Sequence, residues 1–213
     1  MPEDTTRRRR APAMSPEDRR EAIVTATVPL LFTHGVNVTT SQIAKAAGIA
    51  EGTVFRAFKD KQELIHTCVR SVLAVDSELE LIEQARQANA LAERLSWAIS
   101  AVSGYLDRMW KLMSVLRDSG YDPHGAQGER GEHDGHDKRR EHRGAPVEMQ
   151  RITEAVASLF GPDDDLRVDP ALAARLLLGL VFTNRMQGNG FSDATADADQ
   201  LVELYLHGVL KND

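Results

Sequence analysis

One stretch near the N-terminus decides the fold: Thr40-Ser-Gln-Ile-Ala-Lys-Ala-Ala-Gly-Ile-Ala-Glu-Gly-Thr-Val-Phe-Arg-Ala-Phe-Lys59. Two short helices that cross steeply need a small residue where they meet, a left-handed residue at the turn, and apolar positions beneath both. Ala44 and Gly48 meet the first two requirements. The apolar positions are Ile43, Ile49 and Val54. Because these requirements are met together, the stretch predicts a helix-turn-helix.

The second helix of such a unit lies in the major groove of DNA, with its N-terminal residues toward the base edges. Here that helix begins near Glu51, and Val54 and Ala57 are expected to face inward. The residues expected to face DNA are Glu51, Gly52, Thr53 and Arg56. An ordinary helical hairpin without DNA binding is the alternative reading of the same stretch.

Helical periodicity also runs through most of the remaining chain. No window alternates between apolar and polar residues for long enough to predict a sheet. The sequence therefore predicts an all-α protein of about nine helices. The predicted helices cover 15–35, 40–46, 51–58, 60–79, two segments within 90–117, 147–160, 170–187 and 195–210.

Two of these helix boundaries follow from particular residues. Asp60 and Glu63 form a capping pair that is expected to open a long helix reaching Leu79. The Ser103-Gly104 pair is expected to break the helical region between residues 90 and 117, because glycine lowers helix propensity.

Composition divides the chain into an arm, a head and a body. Residues 1–14 are predicted to be a flexible basic arm, residues 15–60 a helix-turn-helix DNA-binding domain, and residues 61–213 a domain for ligand binding and dimerisation. The first 60 residues carry a net charge of +2 and the rest a net charge of −8. This asymmetry is typical of a head that meets a polyanion. The Arg7–Arg10 cluster in the arm could enter the minor groove or simply follow phosphates.

Residues 120–146 contain repeated glycines and almost no apolar side chains, so they predict a long mobile loop. The histidine-rich part, residues 124–142, includes His133, His136 and His142 among acidic neighbours. Such donors could bind a divalent metal, but metal sites usually need ligands on rigid elements. We expect no functional metal site in this loop.

Other classes of protein are disfavoured by what the sequence lacks. The longest uncharged apolar run, Leu176 to Phe182, is too short to span a membrane, and no secretory signal follows the N-terminal arginines. The single cysteine, Cys68, lies in an apolar run and is expected to be a core residue. No phosphate loop, dinucleotide fingerprint or nucleophile motif is present. We therefore expect a cytoplasmic protein with no membrane partner, no catalytic residues and no cofactor.

The head resembles the tetracycline-repressor (TetR) family of bacterial transcriptional regulators over about residues 17–66. The matching positions are Ile23 through Phe32, Gly35, Thr39-Thr40, Ile43-Ala44, Ala46–Gly48, Gly52–Phe55, Phe58, Lys61 and Leu64. The segment 168–180 also resembles the penultimate helix of that family. The resemblance implies a homodimer that binds double-stranded DNA at a palindromic operator and is released by a partly apolar small-molecule inducer, which would make the protein a repressor.

The same resemblance implies roles for single residues. Thr40, at the cap of the second helix, would contact a phosphate, with Ser41 or Gln42 beside it. Thr53, Phe55 and Lys61 would face the duplex, and Lys61 would neutralise a phosphate. The family usually has tyrosine at the position of Phe55, so the contact made by Phe55 should be apolar or structural only.

The body is expected to hold a ligand cavity and the dimer interface. Large side chains at helical spacing are core residues first, although they would also line a cavity between helices. The candidates for the cavity are Trp97, Tyr105, Met109, Trp110, Met113, Phe182 and Met186. The helices at 170–187 and 195–210 should form the interface, with Leu178 and Leu204 as interfacial leucines. A metal-binding helical enzyme and an interaction module that does not bind DNA remain as alternatives.

Overall fold

A computed structural model describes residues 14–120, 147–186 and 195–209, apart from the side chains of residues 208 and 209. These residues form nine α-helices and no β-strand, which confirms the all-α prediction. The predicted arm before Met14 and the predicted loop after Gly120, with its histidines, lie outside the described residues. The helices are α1 (Pro16–His34), α2 (Thr40–Ala46), α3 (Glu51–Ala57), α4 (Lys61–Leu73), α5 (Asp76–Ala85), α6 (Leu91–Asp118), α7 (Val147–Ala157), α8 (Pro170–Met186) and α9 (Ala198–Val209).

The chain divides into two compact units, residues 1–69 and 70–213. Helix α4 contains residues of both units. The first unit, which we call the head, therefore extends past residue 60 into α4, where Leu64, Ile65 and Cys68 are buried. Burial raises the pKa of the Cys68 thiol to about 12, which identifies it as an unreactive core residue. The second unit is called the body below.

Local sequence signals set the ends of α1. Ser15 caps the helix by accepting a hydrogen bond from the amide of Asp18 at 3.0 Å, and Pro16 occupies the first turn. Gly35 ends the helix with a φ of 55°.

The apolar side chains of the head pack together into its core, which contains Ile23, Leu31, Val38, Ile43, Ala44, Val54, Phe58, Leu64 and Cys68.

Arg20 joins α1 to residues that are distant in the sequence. Its guanidinium donates to the carbonyl of Ala57 at the end of α3 and to Glu63 Oε1 in α4, the latter at 2.7 Å. The same group lies 4.1 Å from the centre of the Phe58 ring. Glu63 also accepts from the amide of Lys59 through its other carboxylate oxygen, at 2.7 Å. The hydrogen bond from Arg20, and then that from Lys59, holds the pKa of Glu63 below its ordinary value of 4.5.

This carboxylate should make the stability of the head depend on pH. A carboxyl whose pKa is lowered by folding contributes its full stability above the unfolded pKa and loses it as the pH falls through the folded value. Glu63→Gln should therefore reduce the free energy of unfolding at pH 7 by about 1 kcal/mol, a modest value because the pair is partly exposed. The difference from wild type should shrink as the pH falls below the ordinary glutamate pKa of 4.5 and disappear only below the lowered pKa of Glu63. Urea unfolding followed by circular dichroism at several pH values measures both quantities.

Glu21→Gln, at an exposed carboxylate on α1, is the matched control and should change little at any pH. A constant deficit for Glu63→Gln from pH 7 to pH 3 would show that packing, not charge, accounts for the contribution of Glu63.

The body is built around α6, which packs against α5, α8 and α9, while α7 packs against α5 and α8. Arg94 at the start of α6 pairs with Asp164 at 2.9 Å and donates to the carbonyl of Leu159 at 2.6 Å. The side-chain amide of Asn184 donates to the carbonyl of Ala196 and accepts from the backbone amide of the same residue, both at 2.9 Å. These contacts fix the ends of the body's helices to one another. Among the described residues, no helix has the length and apolar character that a membrane span requires.

Two predicted helix boundaries in the body are wrong, and their errors offset each other in the helix count. The helix expected to reach Leu79 ends at Leu73, and α5 starts separately at Asp76 after the fully buried Val75. The break expected at Ser103-Gly104 is absent, because α6 is continuous. Ser103 and most of its neighbours on α6 are buried. The packing of this long helix outweighs the cost of about 1 kcal/mol for one interior glycine.

Candidate nucleic-acid interface

A capping box defines the start of α2. The amide of Gln42 donates to Thr39 Oγ1 at 3.1 Å, while Gln42 Oε1 accepts from the amide of Thr39 at 2.7 Å. The sequence allows either Thr39 or Thr40 as the cap of α2, and the family resemblance favoured Thr40. The structure shows that Thr39 is the cap and that Thr40 is the first helical residue. The pattern Thr-x-x-Gln is the sequence signature of a capping box, so Thr39 could have been identified from the sequence.

The turn between α2 and α3 depends on Gly48, which has a φ of 66°. A Cβ at this position would meet no atom within 4 Å, so the backbone conformation, not lack of space, requires the glycine. The amide of Gly48 donates to the carbonyl of Lys45 at 3.2 Å, and the amide of Ile49 donates to the carbonyl of Ala44 at 3.0 Å. These bonds end α2 and turn the chain toward α3.

Helix α3 has one buried face and one exposed face. Val54 is 2% exposed and belongs to the core of the head, as predicted. Phe55, the next residue, is 54% exposed, although an aromatic ring gains stability from burial. Glu51, Gly52 and Arg56 are exposed as well, and Thr53 is half-buried. The exposed surface of α3 thus consists of the residues that the sequence assigned to DNA.

The structure joins two of the predicted site residues across the turn. The hydroxyl of Thr40 in α2 donates to Glu51 Oε1 at the start of α3. Ser41 and Gln42 lie exposed on the first turn of α2, although the side-chain oxygen of Gln42 is used in the capping box. Lys61 is half-buried at the start of α4.

In the body, the candidate ligand residues do not share one environment. Tyr105 is buried, and this burial raises the pKa of its hydroxyl, whereas Trp97 is 50% exposed beside a 320 Å³ groove. Trp110 contacts Phe182, with ring centres 5.8 Å apart. Met109 is half-buried against the core, and Met113 and Met186 are exposed. A separate cavity of 440 Å³ is lined by none of these side chains, and its walls are formed by Ile99, Ser100, Ser103, Gly104, Asp107, Arg185, Thr195, Ala196, Asp197, Ala198 and Leu201.

Within the described residues, no group of three or more histidine, cysteine, aspartate or glutamate side chains is arranged to hold a metal ion. The histidine-rich segment 124–142 lies outside those residues.

Residues 23–68 match the sequence model of a family described as bacterial regulatory proteins, tetR family. This segment includes α2, the turn at Gly48 and α3 with its exposed residues. This head is therefore a TetR-family helix-turn-helix domain. The coarse function that accompanies a TetR-family helix-turn-helix is DNA-binding transcriptional regulation.

Solved structures extend the likeness of fold beyond the head. A transcriptional regulator from Cytophaga hutchinsonii is 19% identical, with a TM-score of 0.61 over 90% of this chain and 98% of that one. A TetR/AcrR-family regulator from Thermobifida fusca is 20% identical, with a TM-score of 0.54 over 89% and 95%. A TetR transcriptional regulator from Streptomyces coelicolor is 20% identical, with a TM-score of 0.50 over 91% and 99%. At these identities the likeness concerns the fold alone.

Gly52 in the TetR-family head offers a test of the exposed face of α3. A Cβ at this position would meet no atom of the protein within 4 Å, and glycine is unfavourable in a helix, so packing within the head does not explain it. Close approach of DNA would explain it. Gly52→Ala should raise the free energy of unfolding by up to about 1 kcal/mol and weaken binding to duplex DNA. Urea unfolding and fluorescence anisotropy with a labelled duplex measure the two effects.

Gly104→Ala is the control, because Gly104 is also helical with an open Cβ position but lies in the body. It should stabilise the protein without changing its affinity for DNA. Gly52→Ala with unchanged DNA affinity would show that this face of α3 does not approach the duplex.

Proposed function

We propose that this protein is a transcriptional repressor that binds a palindromic operator as a homodimer and leaves it when a small-molecule inducer binds the body. The observation that carries the proposal is the exposed face of α3, where Glu51, Gly52, Phe55 and Arg56 have no role in the core of the head. A protein that acts on DNA in a bacterium works in the cytoplasm, so the proposal includes that location. It includes no enzymatic activity and no cofactor.

The exposed residues divide into base contacts and phosphate contacts. We assign Glu51, Gly52, Thr53, Phe55 and Arg56 to the major groove, because they occupy the exposed N-terminal part of the recognition helix. Phe55 has no hydroxyl, so it can meet a thymine methyl but cannot bond a phosphate. Ser41, Gln42 and Lys61 are assigned to the phosphate backbone, where they set the register of the head on the duplex.

Selection of bound fragments from the source genome, followed by footprinting, tests DNA binding directly. Two protected half-sites are expected one helical turn apart, about 34–36 Å. Arg56→Ala should weaken operator binding by about 1–3 kcal/mol and nonspecific binding much less. Lys61→Ala should weaken binding to all sequences alike and reduce the salt slope by about one unit.

Lys111→Ala, at an exposed lysine in the body, is the control for lost charge and should leave the footprint unchanged. Absence of any enriched fragment at low salt from a folded protein would favour an interaction module that does not bind DNA.

Exposed apolar residues on α8 and α9 support the homodimer. Leu176, Gly179 and Thr183 follow one another at helical spacing on the exposed side of α8, and Leu176 is 49% exposed. Phe182 and Met186 continue this exposed apolar surface, and on α9 Leu204 is 65% exposed. Leu178, which was expected at the interface, is instead buried in the core of its own body. Burial of such a surface against a second copy would release ordered water and stabilise the dimer.

The dimer surface can be tested with charges. Leu176→Asp combined with Leu204→Asp should produce a folded monomer, because the interface would then bury unpaired carboxylates at a cost of several kcal/mol. Light scattering coupled to gel filtration measures the mass. Leu81→Asp, at an exposed leucine on α5, is the matched control and should remain dimeric. A wild-type monomer at micromolar concentration would contradict the interface and the two-half-site operator together.

Two observations in the body support an inducer. The first is the 440 Å³ cavity, a volume within the range of small-molecule sites. The second is Trp110, which does not line this cavity and whose indole N–H is buried beside Phe182 with no hydrogen-bond partner among the described residues. A buried donor without a partner is costly, so an acceptor atom of a partly apolar ligand that extends to Trp110 would be favoured. If this ligand binds better to the state that does not bind DNA, it lowers the affinity for the operator. Operator binding must then lower the affinity for the ligand by the same factor.

A further inference from the structure

We propose that Glu51 reads the amino group of a cytosine in each half-site and that Thr40 holds the Glu51 carboxylate in place for this contact. The proposal rests on the proposed function, because it concerns how the head recognises its operator. It specifies the base at one position and gives Thr40 a role other than that of a phosphate contact.

The chemistry of the carboxylate selects the base. An ionised glutamate can only accept hydrogen bonds. In the major groove, guanine and thymine present acceptors near the position where Glu51 would lie, and these would repel a carboxylate. Adenine offers an amino group, but its N7 acceptor lies beside it. Cytosine presents its N4 amino group and no acceptor of its own in the major groove, so it is the base that best fits Glu51.

Because of its position, the negative charge of Glu51 would change the affinity for DNA. It is the first residue of α3 and is exposed on the side where the helix would enter the groove. A negative charge among DNA phosphates is repelled, and the repulsion is compensated only where a base donates to the carboxylate. Glu51 therefore weakens binding to every DNA sequence in which the base that it faces has no hydrogen-bond donor.

Thr40 restricts the direction of the carboxylate before DNA arrives. Its hydroxyl donates to Glu51 Oε1, and Oε2 receives no hydrogen bond from the described residues. Thr40 is half-buried in α2 and its β-branched side chain is stiff, so one carboxylate oxygen is held and the other is left for the base. The Glu51 side chain then loses less rotamer freedom when DNA binds. Because a hydroxyl has a single proton, Thr40 cannot donate to Glu51 and to a phosphate at the same time.

In vitro selection from a random duplex library tests the proposal with five purified full-length proteins. These are the wild type, Glu51→Gln, Thr40→Val, Thr40→Ser and the control Glu21→Gln. The wild type should enrich cytosine at one position of each half-site. Glu51→Gln should enrich adenine there, because glutamine bonds both N6 and N7 of adenine. Its affinity for the cytosine operator should fall about 10- to 100-fold, while nonspecific affinity stays equal or rises.

Thr40→Val keeps the shape of the side chain but removes the hydroxyl. It should reduce the preference for cytosine several-fold at that position and leave preferences at other positions unchanged, while Thr40→Ser should restore it. Glu21→Gln removes the same charge from an exposed site on α1 and should change no base preference. Thermal melting of each variant confirms that it is folded.

The outcomes separate this inference from the proposed function. An enriched operator without cytosine at the position, or an unchanged preference in Glu51→Gln, overturns the role of Glu51 while DNA binding stands. An equal loss of affinity for all sequences in Thr40→Val makes Thr40 a phosphate contact and overturns its positioning role. No enriched sequence for the wild type overturns the proposed function itself.

Discussion

The left-handed turn at Gly48 is the constraint on which the exposed face of α3 depends. Its φ of 66° ends α2 and lets α3 begin only a few residues later. Ile43 on α2 and Val54 on α3 are buried in the core of the head, which leaves the opposite side of α3 in solvent. Because a side chain other than glycine is strained at such a φ, the exposure of Phe55 and Arg56 depends indirectly on the absence of a Cβ at position 48.

A second network keeps this arrangement rigid at the other end of α3. Arg20 contacts the carbonyl of Ala57, the ring of Phe58 and the carboxylate of Glu63 with one guanidinium. These residues come from α1, the end of α3 and α4, so a single side chain connects three segments of the head. Its planar, permanently charged group can serve several acceptors at once, which a lysine could not do equally well. The N-terminal part of α3 is held by a smaller contact, between Thr40 and Glu51.

In the body, helical periodicity predicted the fold class but not all of the helix boundaries. Periodicity predicted the correct class and about the correct number of helices, yet α4 ends earlier than expected and α6 does not break at Gly104. Local propensity disfavours glycine in a helix, but Ile99, Val102 and Leu106 are buried around it and hold the helix together. Leu178 and Leu176 illustrate the same limit. Both are apolar residues of one helix, but only the packing of the body shows that the first is buried and the second exposed.

The sequence by itself determined the features that arise from short-range chemistry. These are the cap at Ser15, the turn at Gly48, the buried position of Val54, and the helix-turn-helix whose match to the TetR family covers residues 23–68. Only the tertiary structure decided that Thr40 bonds Glu51 and that Arg20 joins three segments. These contacts link residues 11 to 43 positions apart. Local periodicity carries no information about distances across a turn or between helices, because these are set by how the whole core packs.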